Sequence, residues 1–465
     1  MTFTKFTYCF LFVVVTITAI SCKKDFLDDK PRTDIIVPET LKDFQQLLDN
    51  YVIMNETPQL AELGADNFYF TPTFWNSLLN NHEKNGYIWA KDLFGSQKDI
   101  PDWNIPYKQV LYSNVVLEGI EKINRTTDPK EWDKIKGHAL FSRAFAFYNI
   151  AQLFAAQYNP ATAKAVQSGI PLRTSSDIND NVGRSTIEET YVRILADLTV
   201  ASQLLPDTIH IEKRNRPSKP AAMALLSRVY LTMGNYEKSK EYADTTLQLY
   251  NQLLDYNNPA EVRLQHLSAS FTPANKELIY YAQLYSTSIL QAFTSFEIIV
   301  DSSLYQSYAP ADLRAIAFYT TLFTGYPILK RSYNSTVYPF TGLAVDELYL
   351  NRAECNAWKG DITQAMADLN TLLETRWFSG TYTPYTASTQ TEALSIILNE
   401  RRKELAFRGL RWTDLRRLNN TDFKVTLQRK IDNNIHTLMP GSRNYILPIP
   451  PDVLRLSGIL QNERD

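Results

Sequence analysis

Two stretches of this chain carry the same pattern of small, apolar and glycine residues, and that pattern admits little besides antiparallel helix pairs. One stretch, 222–243, turns at Gly234, and the other, 348–369, turns at Gly360. Seven residues before each glycine stands a small residue, Ser227 or Ala353. Two residues after it comes an apolar one, Tyr236 or Ile362, and five after it a small one again, Ser239 or Ala365. Glycine permits the left-handed backbone that ends a helix, and small residues let two helices approach closely. Each stretch is therefore expected to form a helical hairpin.

This is tetratricopeptide grammar, but the glycines lie 126 residues apart, which is no multiple of the ~34-residue tetratricopeptide period. The pairs are interrupted. Other helical periodicities fall at about 40–51, 106–123, 131–156, 186–205, 218–233, 236–254, 344–359, 361–376 and 391–418. Phe141–Phe154 reads as a third repeat helix, with its aromatics assigned to core. The stretch 255–343 reads as loops with short strands at Leu278–Tyr281 and Glu297–Val300, and 419–465 as an irregular, proline-rich tail. The expected class is mainly α, with interrupted helix pairs packed on an irregular, loop-rich region with few short strands.

The N-terminus carries an export signal. Lys5 precedes an uncharged apolar stretch, Phe10–Ile20, and small Ser21 stands before Cys22. That stretch is well short of the ~20 residues needed to cross a bilayer. Bacterial lipoprotein signals have this form, with the cysteine acylated and made the new N-terminus; an ordinary secretory peptide is the alternative. One acyl chain holds a protein only marginally, whereas two or more anchor it stably. Cleavage after Ser21 would leave 444 residues with 47 basic and 50 acidic side chains, a net charge of −3. Such a balance leaves no footprint for nucleic acid. Beyond Cys22 only Cys355 remains, so stability has to come from core burial, with Cys355 packing as a small apolar residue on a helix.

The usual signs of catalysis are missing. His82, His138, His210, His266 and His436 are scattered without a His-x-x-x-His pair, so no metal or other cofactor is expected. No Gly-x-Ser-x-Gly elbow, P-loop, dinucleotide fingerprint or calcium loop occurs. Segment 399–417 sets Glu400, Glu404 and Asp414 among Arg401, Arg402, Arg408, Arg411, Arg416 and Arg417. A glycosidase needs one carboxyl with a raised pKa, and so many arginines work against that. An ion-pair network is the expected role of these carboxylates.

Seven segments, in order, resemble the SusD/RagB outer-membrane lipoproteins of Bacteroidota. They are Cys22 to Pro31; Trp103, Tyr107 and Asn114; Asn275–Tyr280; Tyr308–Arg314; Leu329–Tyr333; Asn399–Arg417; and Tyr445–Pro451 with Gln461 and Asn462. The resemblance implies a signal peptide 1–21, an N-terminal region 22–255 with helix pairs, and a C-terminal region 256–465 that includes the pair 344–376. It implies a lipid-anchored receptor at the outer membrane, facing the cell exterior, that performs no chemistry. Such a receptor captures glycan, or less often peptide, and passes it to a SusC-like TonB-dependent transporter. Lys24, Asp25, Asp28 and Asp29 resemble the signal that sends such lipoproteins to the surface. A surface glycosidase and a tetratricopeptide scaffold are the competing classes.

Sugar rings present C–H faces that lie on exposed aromatic side chains, while amides and carboxylates bond the hydroxyls. The loop 66–76 concentrates both kinds, and the family builds its site from this region and the irregular middle. The candidate ligand residues are Asn67, Tyr69, Phe74, Trp75 and Tyr285, whereas Trp89 and Trp103 are assigned to packing.

Overall fold

Ten helices of eight or more residues carry the structure among the residues described, which in this computed structural model are 38–285, 289, 296–321 and 325–465. Segment 1–37, with the signal region, Cys22, Lys24, Asp25, Asp28 and Asp29, lies outside them. The helices are α1 (Leu41–Leu48), α2 (Pro101–Ile120), α3 (Pro129–Phe154), α4 (Ile187–Leu204) and α5 (Lys219–Thr232). They continue as α6 (Tyr236–Leu249), α7 (Val345–Trp358), α8 (Ile362–Glu374), α9 (Gln390–Glu404) and α10 (Arg411–Leu418). From α2 to α8 each helix packs against the next, and α9 closes on α7 and α8. Strands are few and short, in two-stranded pairs.

The helix pairs form as the glycines require. Gly234 takes φ 73° and Gly360 φ 82°, ending α5 and α7 in the left-handed region. The next residue starts the following helix: Asn235 and Asp361 accept the amides of Lys238 and Gln364. Close approach is visible at Ser239, whose hydroxyl donates to the Ser227 carbonyl at 2.9 Å. The interruption does not separate the pairs. Helix α6 packs directly on α7 although residues 250–344 intervene, and Tyr236 stacks on Trp358 with ring centroids 5.2 Å apart. The intervening segment is looped out of the helix array, which explains why no simple period survives in the sequence.

Helix α3 forms the centre, with Phe141, Phe145, Phe147, Tyr148 and Phe154 all buried as core. Its last carbonyls are satisfied from nearly 300 residues away. Arg416 donates to those of Ala151 and Gln152, the Leu447 amide to Leu153 at 2.8 Å, and Asn462 to Phe154 at 2.9 Å. A helix terminus leaves these groups unpaired, so this end of α3 has to be capped by the tail. Tyr107 and Asn114 do similar work on α2, donating to the carbonyls of Pro171 (2.9 Å) and of Arg173 and Ser175 (3.0 and 2.9 Å).

Two expectations are corrected. The stretch 391–418 is not one helix: it breaks between Glu404 and Arg411, with Phe407 at φ 60° and Gly409 at φ 69°. The break turns the Phe407 ring onto Phe68, centroids 6.0 Å apart, and brings the Gly409 amide to Glu62 at 2.9 Å. Helical periodicity survives the break because both halves bury one face on the same core. Gly409→Ala is expected to cost about 1–3 kcal/mol in urea denaturation, since left-handed backbone disfavours a Cβ. That Cβ would also stand 3.0 Å from the Thr341 methyl. The tail, expected to be irregular, contains a hairpin of β3 and β4 (Leu427–Ile431 and Asn434–Leu438), numbered after β1 (Phe68–Phe70) and β2 (Ile298–Val300), with Asp432 at φ 51° in its turn. Its alternation is buried Leu427, Arg429 and Ile431 against exposed Gln428 and Lys430. The buried arginine disguises a strand pattern.

Candidate functional site

The aromatic loop is built as an edge rather than a free loop. Strand β1 pairs antiparallel with β2, with Phe68 opposite Val300 and Phe70 opposite Ile298. Period-two geometry sends Phe68 and Phe70 into the core and leaves Tyr69 half-buried on the other face. Beyond that face lies a cavity of 550 Å³ lined by Tyr69, Thr71, Asp301, Tyr326, Gln428 and Lys430 among others. Its dimensions suit a small ligand. Tyr326 is 55 % exposed, and Gln428 and Lys430 come from the outward face of β3.

Beneath this surface the inward Arg429 fixes the loop. Its guanidinium lies 3.7 Å from the centroid of the Tyr87 ring and donates to the carbonyls of Leu63 (3.0 Å) and Ala65. Burial lowers its pKa. Burial also opposes ionisation of the Asp66 carboxyl, but Arg411 and Arg402 beside it hold it well below the usual carboxylate range. Arg411 donates to Asp66 through Nε and Nη2 at 2.7 and 2.9 Å.

The five candidate residues part company. Tyr69 faces the cavity. Asn67 is fully buried and its amide donates to Glu62 at 2.7 Å, so it braces the loop from below. Phe74 and Trp75 lie on a short helix, Pro72–Ser77, and are half-buried there. Phe74 sets its ring edge-on to Phe70 at 5.1 Å, and the Trp75 indole donates to the Lys84 carbonyl at 2.9 Å with the Lys84 amine 4.6 Å from its centroid. Tyr285 is 3 % exposed and donates to Asp102 at 3.0 Å, walling a second cavity of 630 Å³ with Leu79, Asn80, His82 and Asp99. Segment 72–83 thus runs between two cavities, giving Pro72 to one and Leu79–Glu83 to the other. Trp89 and Trp103 are core, as assigned.

Asp301, Tyr326, Gln428 and Lys430 are the cavity residues that sequence reasoning missed. Tyr326 carried a signal, an aromatic between Gly325 and Pro327 at a turn. Gln428 and Lys430 were hidden with the hairpin.

The carboxylates of the arginine-rich segment face no cavity of this kind. Arg314 donates to Asp312 (2.6 Å), Glu400 (2.6 Å) and Glu404 (3.1 Å). Arg376 donates to Glu404 at 2.8 Å and to both oxygens of Glu277 at 2.9 and 3.0 Å. Asp414 is held by Arg401 and Arg417 at 2.9 and 2.8 Å; burial opposes its charge, and the two arginines nonetheless lower its pKa. Cys355 is buried, and that burial pushes its thiol up to about 12. Among the described residues no group of three or more His, Cys, Asp or Glu side chains converges as a metal site. No described helix is long and apolar enough to cross a membrane.

Comparison with known proteins gives two family models in tandem. One, for starch-binding proteins associating with the outer membrane (SusD-like), matches residues 25–231, and the other, for the SusD family, matches residues 333–463. A SusD-like protein of Formosa agariphila is 25% identical over an alignment covering 98% of this chain and 99% of its own. The fold matches that of a SusD superfamily protein from Bacteroides thetaiotaomicron with a TM-score of 0.74 at 22% identity, covering 91% of this chain and 100% of the other. It also matches a laminarin-binding SusD-like protein with a TM-score of 0.61 at 18% identity, over 91% of this chain and 98% of that one.

Proposed function

The chain belongs to the SusD/RagB family, and on that footing we propose that it is a lipid-anchored receptor on the outer membrane that binds glycan. It delivers the glycan to a SusC-like TonB-dependent transporter and carries out no turnover. The observation that supports the reading most is the cavity beside β1. It offers two tyrosine rings, Tyr69 and Tyr326, with Asp301, Gln428 and Lys430 around them. Aromatic faces take the C–H side of a sugar ring, and the polar groups take its hydroxyls. The laminarin-binding relative of the same fold is consistent with a carbohydrate ligand. A peptide ligand for the same kind of uptake is the second reading, favoured by the amide and carboxylate groups in the rim. Cys22 supplies the anchor in this scheme, acylated by more than one chain.

Calorimetry on the full-length protein with an array of oligosaccharides that includes laminarin fragments tests the site. Tyr69→Ala is expected to weaken the best-bound sugar by about 10–100-fold, the scale of ~1–3 kcal/mol for a lost buried ring contact. Leu79→Ala, at an exposed residue of the second cavity, discriminates between the two: affinity holds if the ligand lies beside β1. Binding lost in Leu79→Ala and kept in Tyr69→Ala would move the site to the Tyr285 side. Pull-down from solubilised outer membranes, read by mass spectrometry, tests the transporter; absence of a TonB-dependent barrel would remove the delivery step. Unchanged chain length of the bound sugar separates a receptor from a glycosidase.

A further inference from the structure

The described buried arginines follow a rule that one of them breaks. Arg143, Arg228, Arg314, Arg376, Arg401 and Arg408 each donate to a carboxylate. Arg416, Arg429 and Arg464 have none, but each donates to three or more backbone carbonyls. Arg214 is 6 % exposed and makes one side-chain hydrogen bond, from Nη1 to the Asn275 carbonyl. Its Nε is buried with no partner, and among the described residues no carboxylate lies within ion-pair distance of it. A guanidinium so withdrawn from water and so poorly partnered is costly, because buried charge needs an anion and hydrogen bonds to balance it.

Arg214 lines a cavity of 370 Å³ that shares no residue with the two described above. Tyr51, Ile211, Tyr281, Asn334, Ser335 and Thr336 lie around it. Tyr51 and Ile211 are 61 % and 65 % exposed, forming an apolar lip on a surface where such residues have no folding role. Ser335 takes φ 68°, a left-handed conformation uncommon for a residue other than glycine. Backbone held in that region gathers at ligand sites. Glu212 stands at the rim, exposed, and makes no ion pair with Arg214.

We propose that this cavity is a second ligand site, specific for a carboxylate-bearing sugar of the uronic acid class. The carboxylate pairs end-on with the Nη groups of Arg214, of which Nη2 makes no hydrogen bond among the described residues, in the forked geometry that guanidinium and carboxylate share, and the buried Nε lies out of its reach. The ring lies against Tyr51, and Asn334, Ser335 and Thr336 bond its hydroxyls. The volume suits one or two sugar units. The site goes beyond the glycan reading of the cavity beside β1 and does not depend on that cavity.

The test is calorimetry on full-length protein with a galacturonate disaccharide, set against the same disaccharide with its carboxyl groups reduced to hydroxymethyl. Wild type is expected to bind the acid at least tenfold more tightly than the reduced sugar, with affinity falling as salt rises. Arg214→Met should abolish that preference, and Arg214→Lys should retain part of it. Tyr51→Ala, at an exposed position that leaves the fold alone, should weaken the acid several-fold and so covers the case in which Arg214→Met unfolds. Equal binding of acid and reduced sugar, an unchanged acid preference in Arg214→Met, or no binding of either sugar up to millimolar concentration overturns the proposal. Binding of a short acidic peptide in place of the uronate overturns the sugar assignment. Tyr69→Ala should leave uronate affinity unchanged, which separates failure here from failure of the site beside β1.

Discussion

Glu404→Ala is expected to lower the unfolding free energy by about 3–5 kcal/mol, the usual cost of removing one partner from a buried ion pair. The reason lies in what Glu404 joins. One oxygen accepts Arg314 Nη1 at 3.1 Å and the other Arg376 Nε at 2.8 Å, and both arginine side chains have no solvent exposure. Arg314 comes from the looped-out segment, Arg376 from just beyond α8, and Glu404 from the end of α9. Arg376 continues the chain of contacts to Glu277 beside the strand Leu278–Tyr280. Removing Glu404 would leave two guanidinium groups under-paired where water cannot replace the lost acceptor. Glycan affinity of the folded protein should be unchanged, because the carboxylate reaches no cavity surface. Urea denaturation with calorimetry on the same preparation reads both quantities. Unchanged stability together with lost binding would mean that Glu404 contacts ligand, and the structural account of the arginine-rich segment would fail.

The same network explains which parts of this protein could be read from its sequence. The segments of the family resemblance that lie among the described residues are ones that staple the fold. Asn275 holds the Tyr333 carbonyl, Tyr308 donates to that of Lys403, and Lys330 donates to Leu264, Ile316 and the Ser270 hydroxyl. Each such contact needs one residue type at one position, so it leaves a mark that a reader can find. Helix pairs are legible for a similar reason: glycine at φ above zero and small residues at a helix crossing are local demands. The cavity beside β1 has no such grammar. Tyr69 was legible because it stands in a dense aromatic run, yet Asn67 from the same run is spent on Glu62. Nothing local distinguishes an asparagine that faces sugar from one that faces a buried carboxyl. Gln428 and Lys430 reach the cavity only because β3 lies beside β1, and that neighbour relation spans more than 350 residues. Arg214 is invisible for a further reason: what marks it is the absence of partners, and sequence records no absence.

Glu62 makes the aromatic loop sensitive to pH, and the sign of the effect can be worked out. Burial pushes its carboxyl up from 4.5 to about 7, more than the Asn67 side chain and the Gly409 amide hold it down. Between those two values the folded protein keeps a proton that the unfolded chain has released. Stability linked to Glu62 is therefore full below about pH 4.5, falls as pH rises, and is lost by about pH 7. The whole shift corresponds to about 3 kcal/mol at ~1.4 kcal/mol per pH unit. Glu62→Gln keeps the shape and removes the charge. Its amide can pair with Asn67, whose Oδ1 is buried without a partner. The stability difference between Glu62→Gln and wild type should be flat in acid, grow in favour of the variant from about pH 4.5 to pH 7, and level off above it. Urea denaturation across a pH series measures it directly. A difference flat over the whole range would mean that Glu62 stays ionised, with Asn67, Gly409 and the Arg429 charge supporting the anion. The consequence for function is physical: Glu62 joins the amide beneath Tyr69 to the break between α9 and α10, at 2.7 and 2.9 Å. Both contacts are donated to Glu62 and are stronger to its anion, so affinity at the Tyr69 cavity should rise with pH through about 7 in wild type and lose that dependence in Glu62→Gln.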